Sequence, residues 1–479
     1  MASRSPTLRA SVADPPEKDV EKSGLDGPHG SLDGQDPEKR DSVKRPRKAS
    51  QNVDPFGDAE EGDVQYRSLE WWQCSMIMIA ETISLGILSL PSVLASIGMV
   101  GGAILIASLG IIATYSGYVI GQFKRAHPWV HNMADAGAVL FAPWGHTAEA
   151  IGREVLGAAQ TIFLIFSMAS HILTWTICLD TLTDSATCAI VWGVIGLVLF
   201  WIFDLPRTLL KVSWLSIASF ISIFSAVLLT MVAIGIENPS QGRFKATQSV
   251  TFQAAFLSVT NIVFAYAGHV AFFSFISEMK KPQDFTKALI LLQISDTSMY
   301  FIAALVIYAY GGDDVESPAL SSTAPTVAKV AYGLAIPTII IAGVIYGHVA
   351  AKYIYVRIFR GTKHMGKRTW LAVGSWAGIT LALWTVAWII AESIPDFNDL
   401  LALISSLFAA WFTYGISGIF WLFLNWGGYT KNSRKMSLTA VNIGLTLMGF
   451  GICGMGLYAS GYAIHKESKG SSWSCTVSE

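Results

Sequence analysis

The sequence predicts an all-α polytopic membrane protein with eleven transmembrane helices, arranged as a five-plus-five inverted repeat and one extra helix. Three observations lead there: an apolar composition with charge gathered at one end, a succession of apolar runs of spanning length, and helix-breaking residues at matching places in the two halves. Of 479 residues, 52% are hydrophobic and 14% charged, with a mean hydropathy of +0.47, the balance of a chain that lives in a bilayer. Residues 1–68 hold 25 of the 67 charged residues. What remains is too sparse to cover soluble domains of that length, which argues against a soluble multidomain enzyme. A formal net charge of −1, with no long basic helix, gives no footprint for nucleic acid.

Residues 1–68 are polar, of mixed charge and without helical or strand periodicity, and read as a disordered cytoplasmic tail open to cytosolic regulators. There is no signal-peptide pattern, so the first apolar helix is expected to act as an uncleaved insertion signal. The run Lys44-Arg45-Pro46-Arg47-Lys48 ahead of Ser50 reads first as a solvated charge cluster. A kinase site or a contact for anionic lipid is the alternative, and the spans that follow argue against a nuclear address.

From Trp71 onward, apolar runs lie near 72–98, 101–123, 149–179, 188–203, 212–236, 252–277, 286–311, 329–358, 370–391, 398–424 and 437–464. A bilayer core needs about 20 residues per helix, so the fourth run is expected to extend into its flanks. Continuous rather than alternating apolarity excludes a β-barrel. Residues 466–479 form a short tail outside. Basic residues sort the loops: fifteen, including Lys124, Arg125, Arg207, Lys280, Lys281, Arg360 and Lys435, fall on one side. Arg243, Lys245 and Lys329 fall on the other. This bias predicts a cytoplasmic N-terminus and an extracellular C-terminus, as an odd helix count requires.

The first span reads AETISLGILSLPSVLASIGMVGG, with Ser84, Gly86 and Pro91 inside it, and the sixth reads NIVFAYAGHVAFFSFISEMKKP, with Gly268 and His269 near its middle. Proline removes a backbone donor and glycine costs about 1 kcal/mol of helix propensity. Each interrupted helix opens a five-helix block, roughly 70–236 and 252–424, with 437–464 as an addition. Matching interruptions in two halves point to an inverted-repeat transporter. Unwound backbone persists in hydrocarbon only where a cavity, water or ligand satisfies it. A zwitterion does so, with its carboxylate on free N–H groups and its ammonium on free carbonyls. The cargo expected is an amino acid.

Glu81 lies one turn before Gly86, and Asp296 near the centre of the seventh span in LLQISDTSMY. A carboxylate there costs roughly 2.5 to 3.5 kcal/mol, so the default reading is functional. Each is a candidate to bind and release a coupling proton; the alternative is a hydrogen-bonded structural acid. His171, His269 and His348 are further candidates, against packed rings with satisfied nitrogens. Glu278 marks the inner end of the sixth span or an intracellular gate, and Lys352 is expected to snorkel to the cytoplasmic end. Ser213, Ser216, Ser219, Ser222 and Ser225 form a small-residue packing surface. His127 and His131 have a helical metal-ligand spacing, but Pro128 lies between them and no third ligand follows. The cysteines, Cys74, Cys178, Cys188, Cys453 and Cys475, read as buried free thiols, with a Cys178–Cys188 bridge as the alternative. No hydrolase elbow, zinc-protease pair or phosphate loop is present, so no enzyme and no cofactor is expected.

The runs GILSLP-SVLASIGMVGG and FAYAGHVAFFSFISEMKKPQDF resemble the first and sixth helices of the amino acid/auxin permease family, within the amino acid-polyamine-organocation superfamily. The similarity spans about 68–465, and the tail with LQISDTSMY is similar to fungal neutral amino acid permeases. The resemblance implies secondary active uptake at a plasma or organelle membrane. It carries a substrate cradle onto Thr82, Ser84, Leu85, Gly86 and Ile87 of the first span and Phe264, Ala265, Tyr266, Ala267 and Gly268 of the sixth. Sodium-coupled relatives often have Asn six residues before the glycine at Gly86, and Ala80 stands there. With Glu81 adjacent, that favours a proton. The expectation is proton-coupled import of neutral L-amino acids at the plasma membrane. A sensor signalling through the tail is the alternative, in which truncating the tail would abolish signalling.

Overall fold

In the computed structural model the described residues are 67–207, 209–362, 364–365, 367–467 and 472–475. The predicted tail up to Tyr66, including Lys44–Lys48 and Ser50, and the last four residues lie outside them. The described chain is helical throughout, with one isolated parallel bridge between Leu69 and Met279.

The first span is two helices, α1 (Trp71–Thr82) and α2 (Gly86–Ile97), bent by 48° at the break. At the start of α1 the Gln73 side chain accepts from the Glu70 amide at 2.9 Å, closing a capping box. Gly98, at φ +87°, turns the chain into α3 (Met99–Ala126). A Cβ on Gly98 would lie 2.8 Å from the Thr247 Cα, so both the backbone angle and the close approach require glycine. Then follow α4 (Met133–Phe141), α5 (His146–Thr183), α6 (Ala189–Phe203) and α7 (Leu209–Glu237). The sixth span is again broken: α8 (Phe252–Ala265) is bent by 43° from the segment that ends in α9 (Phe272–Glu278), with a 3₁₀ stretch over Ala267–Ala271 between them. The chain continues through α10 (Phe285–Gly311), α11 (Pro325–Phe359), α12 (Trp370–Ser393), α13 (Phe397–Ile404), a π-helical stretch Ser405–Gly415, α14 (Ile416–Leu424) and α15 (Ser433–Glu467).

Among the described residues, eight unbroken helical stretches are long and apolar enough to cross a membrane, or ten spans with each bent pair counted as one. The fourth run is present as α6, an apolar helix of 15 residues that ends at Phe203 and does not lengthen into its flanks. Asp204 and Pro206 stop it there.

The packing sorts the helices by burial. α5 and α11 are the most enclosed and pack against each other, α12 and α6, while α1, α2, α8 and α10 pack around the two breaks. α7 lies along α11, where Ser219 meets Thr338 at 2.9 Å and Ser222 donates to the Leu334 carbonyl at 2.6 Å. The serine stripe is thus a close-packing face. Large apolar side chains such as Ile104, Ile111, Val232 and Phe450 stay exposed on the periphery, where a bilayer covers them.

The cysteine expectation is corrected. Cys188, ahead of α6, is bonded to Cys475, beyond α15, a separation of 287 residues, while Cys74, Cys178 and Cys453 are free. The strand of chain around Cys475 is also seated by the Trp473 amide on the Glu392 carbonyl and by the Trp473 ring against Trp388. Sequence proximity favoured Cys178 as the partner, but Cys178 is turned into the core, with its thiol 3.7 Å from the Tyr332 carbonyl.

Candidate functional site

The two breaks cross each other. A Cβ on Gly86 would sit 2.5 Å from the Ala265 Cα, and one on Gly268 would sit 2.7 Å from the Thr82 Cγ2 and 3.5 Å from Glu81 Oε2. Each glycine that interrupts one helix therefore makes room for the break in the other. Two backbones approach this closely only where a side chain is missing. The break of the first span lies over Ile83–Leu85, just before Gly86, and Pro91 is carried inside α2.

Breaking a helix frees carbonyls at its C-terminal end. The Tyr300 hydroxyl, from α10, lies 2.7 Å from both the Thr82 and the Ala265 carbonyls, so its single proton is shared between the ends of α1 and α8. Ser84 donates to the Glu81 carbonyl at 3.1 Å and Ser89 to the Gly86 carbonyl at 3.0 Å. Tyr266 donates to the Ile106 carbonyl at 3.0 Å and packs edge-on against Tyr300, with ring centres 5.3 Å apart. Leu85, Ile87, Phe264, Ala265 and Ala267 are buried around the crossing and give it apolar walls.

Glu81 and Asp296 are brought together here. Both are buried, they lie within electrostatic reach of each other, and Tyr346 of α11 lies within reach of both. Among the described residues none of their four carboxylate oxygens has a hydrogen-bond partner. The Thr82 hydroxyl sits beside Asp296, yet donates to the Met78 carbonyl at 2.9 Å. Buried carboxylates without protein partners are costly unless something neutralises them.

The histidines divide. His269 lies in the 3₁₀ stretch with Nδ1 3.1 Å from the Tyr266 carbonyl and Nε2 2.8 Å from the Ala113 carbonyl. A neutral ring has one N–H to give, so both contacts are filled only when the ring carries its second proton. His171 turns Nδ1 to the Ile339 carbonyl at 2.9 Å, and its ring lies 5.7 Å from that of Tyr346. His348 stands apart, 3.9 Å from Asp204 and against Trp376.

Glu278 is 0% exposed at the end of α9 and forms an ion pair with Lys352 of α11. Lys352 is 6% exposed, so it does not snorkel as its position in sequence suggests. Lys124, counted above among the loop charges, is also buried: its ammonium donates to the Pro128 carbonyl at 2.8 Å, the Val130 carbonyl and the Ser277 hydroxyl at 2.9 Å. Beside it the Leu69 amide donates to the Glu278 carbonyl at 2.9 Å, and the Lys280 amide to the Leu69 carbonyl at 2.9 Å. The end of the sixth span is thus closed off by charge and backbone pairing from three other segments. Among the described residues no cluster of three or more metal-ligand side chains forms; His131 Nδ1 is instead 2.9 Å from the Ser277 hydroxyl.

Tyr300 and Tyr346 are the residues sequence reading passed over. A tyrosine inside an apolar helix carries no pattern of its own; only the crossing of the spans gives each its partner.

Two broken spans that cross at their glycines, packed among unbroken helices, are the framework of secondary transporters built from inverted repeats. Solved structures with this fold include a sodium-coupled sialic acid symporter (12% identity, TM-score 0.53, 87% of this chain and 93% of that one) and MhsT in complex with L-phenylalanine (16%, TM-score 0.50, 83% and 99%). The family model described as transmembrane amino acid transporter protein matches residues 67–461, and the chain belongs to that family, one of transporters and not of enzymes. Similar proteins include the N amino acid transport system protein of Neurospora crassa, 35% identical over 85% of this chain and 87% of that one. A transmembrane transporter of Gibberella moniliformis is 30% identical, over 90% and 89%.

Proposed function

We propose that this amino acid transporter imports neutral L-amino acids together with protons, by alternating access across the plasma membrane. The N-terminus is cytoplasmic and the C-terminus outside, residues 70–236 and 252–424 are the two repeats, and 437–464 is the added helix. The substrate backbone sits at the crossing, held by Thr82, Ser84, Leu85, Gly86 and Ile87 on one side and Phe264, Ala265, Tyr266, Ala267 and Gly268 on the other. The walls of Leu85, Ile87 and Phe264 favour an apolar side chain.

The observation that carries the reading is the pair of unpartnered carboxyl groups, Glu81 and Asp296, buried beside the crossed breaks. Lys352 is committed to Glu278, so neutralising both carboxyl groups takes a proton on one and the substrate ammonium at the other. Binding of the two together ties substrate to proton. His269, with two carbonyls to serve, and His171, beside Tyr346, complete the candidate proton-binding groups, and Glu278 with Lys352 forms the inner gate. The Cys188–Cys475 bond supports the orientation, since disulfides persist in oxidising surroundings.

The test is uptake into proteoliposomes with an imposed proton gradient. Wild-type protein should accumulate a neutral amino acid against its gradient, while Glu81→Gln and Asp296→Asn should exchange substrate without accumulating it. Accumulation that ignores the gradient and survives Glu81→Gln would overturn proton coupling at this pair.

A further inference from the structure

A cavity whose lining includes none of the residues of the crossed breaks lies where α3, α14 and α15 meet, at the end of the spans that carries the basic loops. It measures about 400 Å³ and is lined by Tyr118 and Gln122 of α3, by Trp421 and Asn425 at the end of α14, and by Arg434 and Lys435 of α15. Two cations and no acid line it. Lys435 is held in place, its ammonium 5.2 Å over the Trp421 ring and bonded to the Asn425 amide oxygen. Arg434 is exposed and has no carboxylate partner among the described residues.

This charge placement runs against the local electrostatics of the helix. The first turn of α15 holds Arg434 and Lys435 and no acidic residue, although a helix N-terminus favours negative charge; the neutral Asn432 side chain accepts from the Lys435 amide at 2.8 Å and adds none. A local rule broken in this way marks a site where something else supplies the compensation. The missing charge is an anion, and the surroundings say which kind. Tyr118 is 39% exposed, Met436 54% and the neighbouring Trp426 82%, so the rim is apolar and aromatic, as in membrane interfaces. Basic pockets between transmembrane helices at that level take lipid headgroups.

We propose that this cavity binds the phosphate headgroup of an anionic phospholipid, from the leaflet that is cytoplasmic in the orientation proposed above. Arg434 and Lys435 hold the phosphate, and Gln122, Asn425 and Tyr118 donate to headgroup oxygens. The lipid pins α15 to α3 and α14.

The test uses the full chain in nanodiscs of mixed phosphatidylglycerol and phosphatidylcholine, with retained lipid read by native mass spectrometry. Nanodiscs offer the same lipid to both faces, so the outcome is independent of orientation and of transport. Wild-type protein should retain phosphatidylglycerol preferentially. Each surface cation is worth about fivefold, so Arg434→Gln with Lys435→Gln should lower that preference about 30-fold, while Arg434→Lys with Lys435→Arg should keep most of it. No headgroup preference in the wild type, or a full preference in the double glutamine variant, would overturn the site. Inorganic phosphate offered in phosphatidylcholine nanodiscs should leave no adduct; one that disappears in the glutamine variant would make this a soluble-anion site and overturn the lipid assignment.

Discussion

Gly86→Ala is the smallest change that probes the crossing. The added Cβ would lie 2.5 Å from the Ala265 Cα and 2.8 Å from its Cβ, whereas carbon atoms in comfortable contact are about 3.5–4.0 Å apart. The partner is backbone and cannot turn aside, so α2 and α8 must separate by about 1 Å. Overpacking of a core by one such group costs about 1–3 kcal/mol, or roughly 5- to 150-fold in the population of the fitted arrangement. Substrate affinity should fall by a similar factor while the protein still reaches the membrane. Ala265→Gly in the same chain removes the 2.8 Å contact but not the 2.5 Å one, so it should return only part of the loss. Labelled amino-acid binding to purified protein, with surface biotinylation as the control for insertion, measures both. Gly86→Leu should abolish binding altogether. Wild-type affinity in Gly86→Ala would refute the crossing as the substrate site.

Further consequences can be checked separately. Tyr300→Phe removes the hydroxyl shared by the Thr82 and Ala265 carbonyls and should cost about 1–3 kcal/mol, read as a lower unfolding temperature in detergent together with slower uptake. Lys352→Met leaves the buried Glu278 without its ion-pair partner and should cost about 3–5 kcal/mol; adding Glu278→Gln should restore much of that stability, and an equally unstable double variant would contradict the pairing. Cys475→Ser should abolish the difference in gel mobility between reduced and non-reduced protein, and a membrane-impermeant reductant should reproduce that change on intact cells if the C-terminus is outside.

How far the sequence carries is seen best at particular residues. Apolar runs found the spans because hydrocarbon tolerates little else for 20 residues. Glycine composition found both breaks, yet placed Pro91 in one of them; the break falls at Ile83–Leu85 because the crossing with Ala265 fixes Gly86, not because proline forbids helix. Glu81 and Asp296 stood out because a carboxylate in an apolar run is rare, whereas their nearness to each other depends on how α1 and α10 pack. Lys124 and Lys352 were misplaced for the opposite reason: a cation near the end of an apolar run is ordinarily solvated, and only the docking of α9 buries these two. Cys475, beyond the last span, offered no hint of Cys188, since the two lie 287 residues apart in sequence.

The pairing of Leu69 with Met279 has a mechanical consequence. It welds the entry to α1 onto the exit from α9 through backbone bonds, from the Ser68 and Leu69 amides to the Glu278 carbonyl and from the Lys280 amide to the Leu69 carbonyl. Such bonds do not depend on side-chain identity, so any substitution at Ser68, Leu69 or Lys280 other than proline, which lacks the N–H, leaves them in place. α1 and α9 are thus tied at this end by main-chain bonds as well as at the glycine crossing, so a displacement of either one carries the other with it.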